Sequence, residues 1–227
     1  MNPENHLLLD ASSPLSVAAG TFGEGGRAWR AFAEEKSAAL EGVFSATEKV
    51  GGNADDVAGF LFCEGPGSIL GIRIAAAAIR ARLALDRARG VPARRVFAFR
   101  GLNLVAHLIS RARADARNFV VVAESRMNAW NVLRVRDGVP EKDFEEIRTS
   151  DADALASEKI FLLPCRRAVP PAFAAAEACA PAELLRNDPA VFADVPALLR
   201  DCGSEPDAVN TSSVDSYARW TPERHRG

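Results

Sequence analysis

The stretch Gly59 to Leu85, GFLFCEGPGSILGIRIAAAAIRARLAL, constrains this chain more than any other. A short apolar run, Val57 to Phe62, reads as a buried strand, and Glu64-Gly65-Pro66-Gly67-Ser68 turns it into a long helix. A glycine loop between a strand and a helix N-terminus presents N–H groups and a positive dipole end to an anion. The same residues also suit a tight turn with Ser68 as helix N-cap. The loop lacks the Gly-Lys-Ser/Thr ending of a P-loop, and Pro66 removes one donor.

The helix that follows carries Gly71, Ala75, Ala78 and Arg82 on one face at i, i+4, i+7, i+11 spacing. A neighbouring face carries Ile72, Ala76, Ile79 and Leu83. A surface helix needs one apolar stripe, whereas this one is small or apolar around most of its first three turns. It must therefore be covered on more than one side. It is either the central helix of its own domain or a helix whose small-residue face, with Ile79, meets a second protein.

Composition narrows the setting. Hydrophobic content of 48% and charged content of 26% describe an ordinary soluble globular protein. A net charge of −2 gives no general attraction to nucleic acid or anionic membranes. The longest apolar stretch, Ile69 to Ile79, is broken by Arg73 and falls short of the ~20 residues a spanning helix needs. Met1 to Ser13 holds a three-leucine run too short for a signal-peptide core. A cytoplasmic protein without membrane contact is expected. Cys63, Cys165, Cys179 and Cys202 have no CxxC spacing and read as small buried hydrophobes.

Along the chain, His6 to Asp10 is a strand ending in a carboxylate, and Ala11-Ser12-Ser13-Pro14 turns it. Leu15 to Ala19 and Arg27 to Phe32 complete a three-stranded antiparallel meander. A helix is expected from Glu34 to Lys49, with Leu40, Val43, Phe44 and Thr47 on one face. Val96 to Phe99 is a fifth strand and Leu102 to Ala114 a helix.

The second half opens in the same way. Phe119 to Glu124 ends in an acid, Ser125-Arg126-Met127-Asn128 turns, and Ala129 to Arg136 returns. Further strands are expected near Phe144 to Arg148 and over Ile160 to Leu163. Pro164 to Ala180 and Ala182 to Cys202 read as short helices, and a short strand is expected near Tyr217. This repetition predicts a duplicated α/β unit, with lobes at 1–114 and 115–227. Such duplication is the organisation of the actin, sugar-kinase and Hsp70 superfamily, whose active members grip nucleotide phosphates and metal between two hairpin turns.

The chemistry of an active member is incomplete here. None of His6, His107 and His225 pairs with another at i, i+4, so no helical two-histidine metal site exists. Asp10, Ser12 and Ser13 form one turn of phosphate-binding character. Its counterpart, Glu124-Ser125-Arg126, carries an arginine, and Pro164-Cys165-Arg166-Arg167 supplies no glycine turn for an adenosine. No catalytic residue, cofactor or metal is expected.

LLLDASSPLSVAAG, CEGPGSILGIRIAAAAIRARLAL and VVVAESRMNAWNVLRV resemble, in order and spacing, the bacterial TsaB family, formerly YeaZ. The family pattern is an opening strand ending Asp-Thr, a Gly-Pro-Gly-Ser-Phe-Thr-Gly-Val/Leu-Arg loop, an Asp-Ala-Arg hairpin and a C-terminal Tyr-Leu-Arg. Here the loop runs from Gly65, Pro66, Gly67 and Ser68 to Gly71 and Arg73, with Ile69 and Leu70 in place of the aromatic and threonine. Glu124 replaces the hairpin aspartate, Lys36 stands near a histidine of many relatives, and the tail reads Tyr217-Ala218-Arg219. The similarity covers roughly the first 135 residues.

The resemblance implies a two-lobed actin-like fold and a non-catalytic subunit for threonylcarbamoyladenosine synthesis on tRNA. Its partners would be a TsaD-like catalytic subunit, met through helices of the N-terminal lobe, and a TsaE-like ATPase. A homodimer would form in their absence, and tRNA would be contacted only indirectly. The alternatives are an enzyme of the same superfamily, glycoprotease-like or a small-molecule kinase, and an actin-fold interaction protein with another partner.

Overall fold

The computed structural model describes residues 2–204 and residue 206. Its first sheet is seeded by the alternation of Leu7, Leu8 and Leu9, which face opposite sides of strand β1 (His6–Asp10). Strands β2 (Val17–Phe22) and β3 (Trp29–Glu35) extend β1 antiparallel, as the meander requires. On its other side β1 pairs in parallel with β4 (Gly59–Gly65), and β4 with β5 (Arg95–Arg100).

Each strand keeps the same period-two division. Leu7, Leu9, Phe60, Phe62, Val96 and Ala98 pack under helices α1 (Ala39–Lys49) and α2 (Ile69–Ala88). Leu8, Leu61, Cys63, Phe97 and Phe99 face the opposite side and pack on Leu104 and Leu108 of α3 (Gly101–Ala112).

The second sheet repeats the plan. Its central strand β6 (Phe119–Glu124) pairs antiparallel with β7 (Ala129–Arg136). β7 in turn pairs antiparallel with β8 (Val139–Pro140) and with β9 (Glu145–Arg148). On the other side β6 runs parallel to β10 (Ile160–Leu162), and β10 to β11 (Glu177–Ala178). Leu102, Val105 and Ile109 of α3 pack on Phe119, Val121, Leu133 and Phe161, so α3 is shared by both sheets. Where the first lobe has α1 and α2, the second has 3₁₀ turns at Thr149–Leu155 and Pro171–Phe173.

Several expectations need correction. The helix begins at Ala39 rather than Glu34, because Glu34 and Glu35 end β3 by pairing with Ala18 and Val17. Val43 on that helix is buried, but Leu40 and Phe44 are 58% and 61% exposed. Residues 164–180 form no α-helix, since Pro164, Pro170 and Pro171 interrupt them.

The expected second lobe, 115–227, is also not of one piece. Helices α4 (Pro181–Asn187) and α5 (Val191–Asp194) place Leu185, Val191 and Phe192 in the first lobe's core. Strand β12 (Arg200–Asp201) then closes the first sheet against β5. The strand expected near Tyr217 lies outside the described residues. Among the described residues, no helix is long and apolar enough to cross a membrane.

Candidate functional site

The C-terminal ends of β1 and β6 point at one another across a cavity of about 290 Å³. Asp10, Ser12, Gly67 and Ser68 line it from the first lobe, and Glu124, Ser125 and Arg166 from the second. Leu104, Val105, Leu163 and Leu185 supply apolar wall.

The first turn is organised by Asp10. Its Oδ1 accepts from the Ser12 amide at 2.9 Å and the Ser12 hydroxyl at 2.6 Å. Burial pushes the Asp10 carboxyl above its ordinary pKa, and the bonds from Ser12 and the Cys63 thiol oppose that rise. Ser13 Oγ accepts from the Leu15 amide and so holds the turn itself. Cys63 is fully buried beneath this turn, and burial raises its thiol well above the usual range, assisted by the Asp10 charge. It is a packing residue rather than a nucleophile.

The glycine loop packs directly on the first turn. The Ser68 amide donates to the Ser12 carbonyl at 2.7 Å, and Ser68 Oγ accepts from the Gly71 amide at 3.3 Å, capping α2. A Cβ on Gly67 would overlap the Ser12 carbonyl, and one on Gly71 the Ala11 carbonyl. Pro66 follows a cis peptide bond. The glycines thus let a helix end lie against the chain's own backbone.

The second turn is filled by the protein. Arg167 donates to Glu124 at 2.5 Å and to the carbonyls of Ser125, Arg126 and Ala129 at 2.8–3.0 Å. Its guanidinium also lies 5.3 Å from the Trp130 ring centroid. The Arg166 amide donates to Glu124, while the Arg166 guanidinium crosses the cleft and donates to the Pro14 carbonyl at 2.6 and 3.1 Å. The acceptors of the second turn are thus taken up by the chain's own Arg167, and the Pro14 carbonyl after the first turn by Arg166. Sequence reasoning registered Arg166 and Arg167 only as the absence of a glycine turn; their signal was two successive arginines after a buried strand.

Other candidates fall elsewhere. His6 and His107 are held below their ordinary pKa by burial, and His107 also by the Arg111 charge. Among the described residues, no group of three or more His, Cys, Asp or Glu side chains is arranged to hold a metal. The face of α2 expected to meet a partner is largely interior. Gly71 is buried, Ala75 and Ile79 are 1% exposed, and Arg82 pairs with buried Asp86 at 2.9 Å. Ala75 and Ile79 belong to the chain's own core because α2 lies across β4 and β1 rather than at an edge.

Ala78 is half-buried at the border of that face, and Arg73 lies exposed on another side. The outward surface is a neighbouring strip. Arg82 donates to Ala54 in the loop after α1, so its side of α2 is the one toward α1. At 100° per residue, Leu70, Ala77 and Ala81 follow Ala78 outward on that side. All three are exposed, Leu70 at 66%. On α1, Lys49 pairs with Glu35 of β3, and Leu40 and Phe44 turn to the opposite flank, toward α2. Helices α1 and α2 are packed together, and each carries exposed large apolar side chains.

Two duplicated mixed sheets, a shared helix and facing turns define the two-lobed actin-like fold. No family model matches the sequence, and no curated protein does. Among solved structures the chain is similar to YeaZ from Pseudomonas aeruginosa, with a TM-score of 0.55, 18% identity, and coverage of 84% of this chain and 92% of that one. It is also similar to an uncharacterized protein with similarity to peptidase YeaZ from Pseudomonas aeruginosa, at a TM-score of 0.49 and 20% identity, covering 69% of this chain and 74% of that one.

Proposed function

We propose that this protein is a TsaB-like pairing subunit, non-catalytic in itself, that binds and activates a TsaD-like threonylcarbamoyltransferase acting on tRNA. A TsaE-like ATPase would join the assembly in the cytoplasm, tRNA would be met only through the partner, and the same surface would allow a homodimer alone. The observation that carries this reading is the exposure of Leu40, Phe44 and Leu70, each more than half exposed, on two helices packed together, with Ala77 and Ala81 also exposed on α2. Large apolar side chains grouped in this way mark an interaction surface. Small residues beside them let a second helix pair come close. The sequence resemblance and the fold support the choice of partner, and the occupation of the second turn by Arg167 favours a subunit over an enzyme.

The test is the double variant Leu40→Glu/Phe44→Glu. Both positions are solvent-exposed, so the melting temperature of the isolated protein should be nearly unchanged. Covering two such side chains contributes about 1–2 kcal/mol each, so affinity for the TsaD-like subunit should fall by about 100-fold. Unchanged affinity by calorimetry would remove this surface from the reading. Metal-dependent ATP hydrolysis or threonylcarbamoyl transfer by the isolated protein would replace the subunit with an enzyme.

A further inference from the structure

The two turns that face each other across the cleft both present acceptors, and the chain satisfies them with its own cations. The Ser125, Arg126 and Ala129 carbonyls and Glu124 converge on Arg167. The Pro14 carbonyl takes two bonds from Arg166. On the inner side the lobes are already joined through α3, helped by the Arg100–Asp143 pair at 2.7 Å and by Asn103 donating to the Glu141 and Lys142 carbonyls. At the mouth, the hydrogen bonds that cross from lobe to lobe among the described residues come from Arg166.

We propose that Arg166 and Arg167 form a built-in latch that holds the lobes closed without any bound ligand. Arg167 anchors the segment after β10 to the second turn, and this fixes the backbone from which Arg166 reaches the first turn. The planar guanidinium suits the role, because two of its N–H groups meet one carbonyl at once. Arg166 is exposed, so water competes for the Pro14 carbonyl and the latch is releasable. The lobes would then part by turning about α3.

The experiment uses the isolated full-length protein, so its outcome is independent of any partner. Arg166→Ala and Arg166→Lys are compared with the wild type by small-angle scattering and by the alkylation rate of Cys165. Cys165 is partly buried beside the latch, and Cys202, at the far edge of the first sheet, serves as internal reference. R166A should expand the scattering envelope and speed Cys165 alkylation roughly tenfold, the factor one charge-assisted hydrogen bond is worth, with Cys202 unchanged. R166K, a single point charge, should fall between the two. Millimolar guanidinium should fill the vacated place and slow Cys165 again in R166A, whereas equal sodium chloride should not. An R166A protein with wild-type scattering and alkylation, or an opening that guanidinium does not reverse, overturns the latch. If R166A does not fold, R166K carries the comparison: Cys165 alkylation at the wild-type rate overturns the proposal, and faster alkylation slowed by guanidinium supports it.

Discussion

A hydrogen atom in place of a side chain at Gly71 lets α2 lie against the carbonyl of Ala11. Gly71→Ala should therefore displace the helix from the first turn and cost about 2–3 kcal/mol, since backbone rather than a flexible side chain stands in the way. Gly90 is the control. Its φ of +72° favours glycine, but a Cβ there meets nothing within 4 Å. Gly90→Ala should cost only about 1–2 kcal/mol. Equal melting temperatures for the two variants would contradict the close approach at Gly71. At this scale the first turn was legible in the sequence, because its bonds are local: Asp10 accepts from the Ser12 amide and hydroxyl, and Ser13 from the Leu15 amide. Arg167 was not, because its partners are spread over Glu124 to Ala129, about 40 positions away.

Helix α2 has two sides with different fates, and point charges tell them apart. Ala75→Arg would bury an unpaired guanidinium in the first lobe's core and should cost about 3–5 kcal/mol, enough to lose the cooperative melt. Ala81→Arg lies on the outward strip and should melt within about 0.5 kcal/mol of wild type. Thermal denaturation of both decides whether the helix is oriented as described.

The strands β6 and β7 were readable to the residue, since two short runs rich in Val and aromatic residues flank a polar turn. The start of α1 was not. Glu34, Glu35 and Lys36 favour helix locally, yet sheet pairing takes the first two. The outward turn of Leu40 and Phe44 was hidden for another reason. Periodicity identifies an apolar face, but a face can be covered by the chain itself or left for another, and the pattern is the same.

For the whole molecule, the boundary at 114/115 leaves the first sheet without β12 and the first core incomplete. Leu185, Val191, Phe192 and Leu198 cover Phe22, Phe99 and Leu8 from the far end of the chain. A fragment of residues 1–114 should therefore lack a cooperative melting transition and bind apolar dyes, as a chain with an uncovered core face does. A fragment that melts cooperatively by calorimetry would show that the returning segment is dispensable. The repeat of strand order in the two sheets was legible because each half opens with the same pattern. The return of α4, α5 and β12 was not, since short helices carry too few turns to declare a destination.

That return has a consequence for synthesis. Glu64, buried beside the glycine loop, is paired at 2.5 Å with Arg200, and β5 has β12 as its outer neighbour. Between the emergence of Arg100 and that of Asp201, a ribosome adding about 5–20 residues per second spends roughly 5 to 20 s. For that interval the N-terminal lobe carries an unpaired strand edge and several bare phenylalanines. The usual order, in which the first-made lobe folds first, is closed to this protein: the first lobe waits for residues 185–201, and a holdase acting on the nascent chain would act in that window.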